Sequence, residues 1–232
     1  MTQVLLDKNS TFYEEPRIRV AADQPIACQV NENFKRFFDI CFAALVLLLI
    51  LPLLAVLAIV IKLNSSGPVF YCQERVTKNN RPFKMLKFRT MPVDVESLTG
   101  PVWGQGEDLR TDRLGRFLRI TRTDELPQLL NILWGDMSFI GPRPERTCFV
   151  EQFKDIPGYQ NRHLIRTGLS GYAQVVNPYL SIEQIKLKTE LDLYYLKHWS
   201  PALDVWIIAK AFTYVRPYAV SALKVLFKGF TR

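Results

Sequence analysis

The sequence holds only two histidines, and His163 and His198 lie far apart, outside any zinc-ligand spacing. A zinc site built on a histidine pair has no footing here. The four cysteines, Cys28, Cys41, Cys72 and Cys148, show no paired spacing. That pattern argues against a disulfide framework and reads as reduced cytosolic thiols. Nothing at the N-terminus resembles a cleavable signal, because the first apolar run starts too late and is too long. Acidic residues are outnumbered, 22 against 30 Lys and Arg, for a net charge of +8. Such a surplus suits anionic lipid headgroups, phosphorylated substrates or nucleic acid. No nucleic-acid motif accompanies it, so nucleic acid is not an expected partner.

Charge is missing altogether between Ile40 and Ile61, a run of 22 residues. As a straight helix it reaches ~33 Å, enough for a bilayer core of ~30 Å. Pro52 near its middle removes a backbone donor and clashes one turn back, so a kink or break is expected there. Each half alone is too short to span. Both flanks are basic, with Lys35 and Arg36 before and Lys62, Arg75, Lys78, Arg81, Lys84, Lys87 and Arg89 after. Positive flanks favour the cytoplasmic side. A helix bent at Pro52 that enters and leaves through one leaflet keeps both sets inside; a kinked span does not. The residues alone leave both paths open.

Residues 1–33 are polar, with no sustained period. Phe34, Phe37 and Phe38 are expected at the membrane interface, with Lys35 and Arg36 toward headgroups. Asp39 reads as a helix-start charge or as an ion-pair partner of Arg36, three residues back. Gly67-Pro68 ends the apolar helix. Val69–Gln73 and Phe83–Arg89 read as two strands of a hairpin around Asn79-Asn80-Arg81-Pro82. Lys87 and Arg89 on the second strand face either phosphate and headgroups or plain solvent. Residues 92–106 are loop-like. An amphipathic helix over 108–119 places Leu114, Phe117 and Leu118 inward and carries four arginines in ten residues.

Thr123-Asp124-Glu125-Leu126-Pro127-Gln128 opens a second amphipathic helix with Leu126, Leu129, Leu130 and Leu133 on one face and Gly135 as its stop. Pro127 belongs in a first turn, which sets the start near Thr123 or Asp124, with Thr123 able to cap. Acidic residues favour helix starts for electrostatic reasons alone. The pair also suits catalysis: one carboxylate attacks while its neighbour holds a hard cation such as Mg²⁺. Arg119 and Arg122 would keep the aspartate ionised and attract a pyrophosphate. Gly141-Pro142-Arg143-Pro144 is a stiff turn that presents a guanidinium suited to bidentate phosphate contact. Toward the C-terminus, Ser200-Pro201 caps a helix. There Trp199, Trp206, Phe212, Tyr214 and Tyr218 alternate with Lys197, Lys210, Arg216 and Lys224, a pattern for a helix in the headgroup plane or for a packed core.

Several stretches in order carry a resemblance. They are Lys35-Arg36-Phe-Phe-Asp39, the proline-interrupted apolar run, Lys87-Phe88-Arg89-Thr90-Met91, Thr123–Gln128, Gly135–Ser138, Gly141–Pro144, Gly168–Gln174 and Glu190–Tyr195. Together, over about Asn33 to Val215, the chain resembles the bacterial sugar transferases, monotopic polyprenyl-phosphate sugar-1-phosphate transferases. The resemblance implies a re-entrant helix broken at Pro52. It implies Asp124 as nucleophile, Glu125 as the Mg²⁺-associated partner and Arg143 at a phosphate-contacting position. With Arg119, Arg122, Lys87, Arg89 and Gln174, Arg143 makes up the expected substrate-binding set. It implies a UDP-sugar and undecaprenyl phosphate as substrates, and a product that starts a bacterial polysaccharide or glycan. Leu51, Thr77 and Thr167 depart from residues common in the family, and none of them touches the Asp-Glu pair.

The expected fold is α+β and mainly helical: a monotopic membrane protein with one re-entrant helix, interfacial amphipathic helices and a small β-hairpin. The expected division is a tail (1–33), the membrane helix (34–64), a cytosolic catalytic domain (65–218) and a basic C-terminal tail (219–232). The small form is expected, without the preceding transmembrane helices of the large members. The expected location is the cytoplasmic face of the bacterial inner membrane, with anionic lipid headgroups as partners and a homo-oligomer left open. The competing reading is a non-catalytic, membrane-tethered scaffold that binds anionic lipid or nucleotide sugar; intact Asp124, Glu125 and Arg143 argue against it.

Overall fold

The computed structural model describes residues 28–92, 110–178 and 180–213. Most of the expected N-terminal tail, the loop over 93–109, and Tyr214, Arg216, Tyr218 and Lys224 with the tail after them lie outside the described residues. The first element, α1, spans Glu32–Asn64 and is 33 residues long. The Asn31 side chain accepts from the Phe34 N–H and so caps its first turn. Pro52 falls inside this helix, which is assigned without interruption.

One face of α1 is covered along much of its length. Ala43, Val46, Leu47 and Ile50 pack with Phe83, Met85, Leu129, Ile132 and Met137. Leu54, Leu57, Ala58 and Ile61 pack with Phe88 and Leu118. The intervals of three and four residues define a single stripe. The opposite face, with Leu45, Leu48, Leu49, Val56, Ile59 and Leu63, is exposed. Phe34, Phe37 and Phe38 are exposed as well.

The charged residues at the start of α1 behave otherwise than expected. Lys35 does not point outward: its ammonium donates to the Tyr195 hydroxyl at 3.0 Å and pairs with Asp204 at 2.8 Å. Arg36 donates to the carbonyls of Ile132 and Leu133, the end of a helix that needs acceptors satisfied. Asp39 accepts from the Ser138 hydroxyl at 3.1 Å and the Phe139 N–H at 3.0 Å in place of the expected bond from Arg36. Burial decides this: charges that enter a packed interface must find partners across it. The other end of α1 is fastened too, as the Arg89 guanidinium donates to the Ser65 and Ser66 carbonyls and the Ser65 hydroxyl.

Strands β1 (Phe70–Val76) and β2 (Pro82–Phe88) form the expected antiparallel hairpin. Its turn places Asn79 and Asn80 at φ 57° and 56°, a region that asparagine tolerates better than most residues. Helix α2 (Arg113–Ile120) and helix α3 (Gln128–Trp134) flank a 3-10 turn at Thr123–Glu125. Strand β3 (Met137–Ile140) pairs in parallel with β4 (Thr167–Ser170). Between them lie α4 (Thr147–Phe153) and a 3-10 stretch, Tyr159–Leu164. Then come α5 (Tyr172–Val176), α6 (Ile185–His198) and α7 (residues 201–213).

At the ends of β3 and β4, three glycines bring backbones into contact. A Cβ on Gly141 would lie 2.4 Å from the Arg166 carbonyl oxygen, and one on Gly168 would lie 2.1 Å from the Gly141 nitrogen. A Cβ on Gly171 would lie 2.4 Å from the Gly141 oxygen. At α7 the Ser200 hydroxyl accepts from the Leu203 N–H at 3.1 Å with Pro201 in the first helical position, the expected cap. Ile207 on α7 is fully buried with Ile140, Ile165 and Tyr195, while Trp206 and Phe212 are exposed. All four cysteines are free, as expected.

Candidate active site

Helix α2 starts where the Asp112 side chain accepts from the Gly115 N–H. Leu118 is its fully buried contact, with Leu114 and Phe117 partly buried, so the expected inward face is present. After α2 the chain turns sharply, because Arg122 adopts a left-handed conformation at φ 58°. The Thr123 hydroxyl donates back to the Leu118 carbonyl and meets the Thr121 hydroxyl at 2.7 Å. It does not cap the next helix. That helix begins at Gln128 with Pro127 before it, and Asp124 and Glu125 sit on the preceding 3-10 turn. A 3-10 turn has three residues per turn, so adjacent side chains splay by about 120° instead of the ~100° of an α-helix.

Both carboxylates point into the protein, Asp124 at 6% and Glu125 at 8% exposure. Glu125 Oε1 is met by Lys87 Nζ at 3.0 Å, Arg143 at 3.4 Å and Arg122 at 3.6 Å. Burial alone would raise the Glu125 pKa, but these three cations outweigh it and hold the carboxyl far below the usual range. Asp124 goes the other way. Burial, and then the Glu125 charge, push its pKa up to about 6 against the pull of Lys87, Arg122 and Arg119. Desolvation outweighs these cations, yet a carboxyl with this pKa is still mostly ionised at neutral pH. Asp124 Oδ1 is buried with no hydrogen-bond partner.

The turn that presents Arg143 is clamped on four successive carbonyls. The Gly168 N–H donates to Pro142 at 2.9 Å, and Arg162 donates to Arg143 at 3.3 Å. Arg75 donates to Pro144 at 3.1 Å, and the Val76 N–H donates to Glu145 at 3.0 Å. Two prolines remove donors from this segment, so its acceptors define its place. Arg162 is fully buried and is itself held by Asp192 at 2.7 Å, while Glu145 pairs with Lys188. Burial, and then the nearby Arg143 charge, lower the Arg75 pKa to about 10, which leaves it cationic at neutral pH.

Thus Asp124, Glu125, Lys87, Arg122 and Arg143 come together, and Arg119 on α2 acts on Asp124 through its charge. Arg89 is placed elsewhere, at the end of α1. Gln174 lies on α5 beside the glycine contact, near Gly171. Arg75, Arg162, Glu145, Lys188 and Asp192 were not among the expected site residues. Arg75 lies beyond the strand expected over Val69–Gln73, while the strand in fact runs on to Val76, so alternation did not reach it. For Arg162 and Asp192, 30 positions apart, local spacing offers no signal.

Among the described residues no cluster of three or more His, Cys, Asp or Glu side chains is arranged to hold a metal. The donors still fit Mg²⁺, which takes one or two carboxylates and completes its shell with water and substrate phosphate. Asp124 Oδ1 lacks a partner, and all three cations on Glu125 meet the same oxygen.

Comparison with known proteins identifies a family. A family model described as bacterial sugar transferase matches residues 30–216. The chain is 47% identical over 178 residues to a UDP-N-acetylgalactosamine-undecaprenyl-phosphate N-acetylgalactosaminephosphotransferase of Aeromonas hydrophila, covering 76% of this chain and 42% of that protein. It is 39% identical over 191 residues to a UDP-glucose:undecaprenyl-phosphate glucose-1-phosphate transferase of Escherichia coli, covering 80% and 40%. A protein of the same name from Caulobacter vibrioides is 40% identical over 182 residues, covering 76% and 67%. The chain thus spans about two fifths of the length of the first two relatives. It belongs to the bacterial sugar transferase family.

Proposed function

We propose that this protein transfers a sugar-1-phosphate from a UDP-sugar to undecaprenyl phosphate. The observation that carries the reading is the contrast between two adjacent buried carboxylates. Asp124 keeps an oxygen without a partner, while Glu125 is fixed in its ionised form by Lys87, Arg122 and Arg143. A carboxylate stripped of hydrogen bonds is the better nucleophile, and the adjacent cations suit an incoming diphosphate. The names of the relatives, with their UDP-sugar donors and undecaprenyl-phosphate acceptors, point to the same chemistry.

In this mechanism an Asp124 oxygen attacks the sugar-bearing phosphorus, and the bond from that phosphorus to UMP breaks. UMP leaves, and the phosphosugar stays on Asp124 as an acyl phosphate. An oxygen of undecaprenyl phosphate then attacks the same phosphorus, the bond to Asp124 breaks, and the carboxylate is restored. Arg143 and Lys87 hold the diphosphate oxygens. Glu125 would hold Mg²⁺, which supplies neutralisation of charge on the diphosphate.

We further propose that α1 is re-entrant and that the catalytic body lies on the cytoplasmic face of the inner membrane. This is supported by the fastening of both ends of α1 to one body, through Lys35 with Asp204 and through Arg89 with Ser65. The exposed leucine-rich face is left for lipid.

The test of the mechanism is UMP release without acceptor. UDP-sugar alone should yield UMP in an amount no greater than the enzyme, with a phosphosugar on the peptide that carries Asp124. Asp124→Asn should abolish both. UMP that appears only when both substrates are present, with no adduct by mass spectrometry, would sink the covalent mechanism.

A further inference from the structure

A groove of about 250 Å³ lies between β1 and the start of α4. It is lined by Tyr71, Cys72, Gln73, Glu74 and the segment Arg146-Thr147-Cys148. Sites that enclose a whole drug-sized ligand run to ~300–1,000 Å³, so this one suits one part of a larger molecule. The Thr147 hydroxyl donates to Glu74 Oε1 at 2.8 Å and joins the two walls.

The groove is tied to the dyad by two routes. Tyr71 stands directly opposite Lys87 in the hairpin register, and Lys87 Nζ is 3.0 Å from Glu125. Gln73 accepts from the Arg75 guanidinium, which also donates to the Pro144 carbonyl beside Arg143. The groove also runs along a strand edge. Arg89 N–H donates to the Val69 carbonyl and Thr77 N–H to the Arg81 carbonyl, so odd-numbered residues of β1 bond to β2. By antiparallel alternation Cys72 and Glu74 turn their N–H and C=O groups away from β2, as Val76 does toward Glu145.

We propose that this groove seats the pyrimidine base of the nucleoside-diphosphate donor, with Tyr71 stacked on the ring and the backbone of Cys72 and Glu74 paired to its edge. A pyrimidine presents donors and acceptors side by side along one edge, which is what an outward-facing strand residue offers in return. A strand edge and an aromatic ring together recognise a flat polar ring. The diphosphate then reaches Lys87 and Arg143 along the same side of the hairpin. The assignment rests on the transferase reading above and adds where the donor's base binds.

Cys72 and Cys148 are exposed and line the groove, so they report on its occupancy. The full-length protein is treated with N-ethylmaleimide in Mg²⁺ buffer, and alkylation is followed peptide by peptide. UDP should slow modification of Cys72 and Cys148 several-fold, inorganic pyrophosphate should not, and Cys28 should react at the same rate throughout. Tyr71→Ala should weaken UDP binding by roughly fivefold or more, the value of one base–aromatic stack, and Tyr71→Phe should restore it. Equal protection by pyrophosphate, or none by UDP, overturns the groove assignment. Turnover without protection overturns it while leaving the transferase reading in place. Protection by UDP with no UMP formed from UDP-sugar and undecaprenyl phosphate together supports the groove and overturns the transferase reading instead.

Discussion

Arg162 Nε donates to Asp192 Oδ2 at 2.7 Å with both side chains almost wholly buried, and Nη2 of the same guanidinium donates to the Arg143 carbonyl at 3.3 Å. The pair thus stands behind the residue proposed to hold substrate phosphate. Removing one member of a buried pair leaves an uncompensated charge and costs ~3–5 kcal/mol. Asp192→Asn should lower the denaturant midpoint accordingly and reduce turnover as the Arg143 turn loosens. The double change Arg162→Met with Asp192→Leu should recover much of the stability but not the turnover. Full recovery of turnover would show that the pair does not position Arg143.

The two carboxylates make opposite contributions to stability with pH. Asp124 has a folded pKa of about 6 against an ordinary 3.8, so between these values the folded chain binds more protons than the unfolded one. Stability from this group is present below pH 4 and is lost as pH rises through about 6. At about 1.4 kcal/mol per tenfold in proton affinity, the loss is roughly 3 kcal/mol. Asp124→Asn should therefore be more stable than the parent at pH 7.5, with the gap closing toward pH 4, while it makes no product. Glu125 is depressed, so its contribution is present at neutral pH and fades only in acid. In the parent enzyme kcat/KM should fall as pH drops through about 6, where Asp124 takes up a proton. A flat pH profile from 5 to 8 would contradict the nucleophile assignment.

Arg122 combines a charge contact with an unusual backbone. Its φ of 58° costs a non-glycine residue ~1–2 kcal/mol, which glycine avoids at the expense of chain entropy. Its 3.6 Å contact to Glu125 comes from a side chain that is mostly exposed and adds little to stability. Arg122→Gly should leave folding stability within about 1 kcal/mol of the parent, while kcat/KM falls at least tenfold. Unchanged kinetics would remove Arg122 from the substrate-binding set.

The membrane path is open to a direct test. Single cysteines at Asn33 and Ser65, in a chain whose four native cysteines are replaced, should both be labelled from the cytoplasmic side. Labelling from opposite sides would rule out the re-entrant path. Pro52→Leu should move the segment toward a full span, since the apolar run is long enough for one.

The sequence announces the hairpin through strand-forming residues around an asparagine turn, and the dyad through an acidic pair beside arginines. It hides the face of α1 that meets the body. Ile40 to Ile61 is apolar on every side, so no period separates Ala43 and Ile50, which are covered, from Leu48 and Leu49, which are exposed. Lys35 and Arg36 look like membrane flanks because charge next to an apolar run usually is; their partners, Asp204 and the carbonyls at the end of α3, are about a hundred or more positions away. The β3–β4 pair escapes notice because each strand has four residues, too few for an alternation to register. The start of α3 is misplaced by proline chemistry: Pro127 fits a first turn, but it also fits the residue before one.

The contact among Gly141, Gly168 and Gly171 has a bearing on precision. Side chains move by hopping between rotamers, and a phosphate-binding arginine mounted on packed side chains inherits that play. Here the mount is peptide against peptide, with gaps too small for a single added carbon. Peptide planes have no rotamers to exchange, so little slack enters at the root of the Arg143 turn. In the proposed mechanism a phosphorus handed from one oxygen to another has to be met at nearly the same spot twice, first with a nucleotide leaving and then with a lipid arriving. A bare-backbone hinge-stop of this kind would keep that spot in register between the two half-reactions of that mechanism.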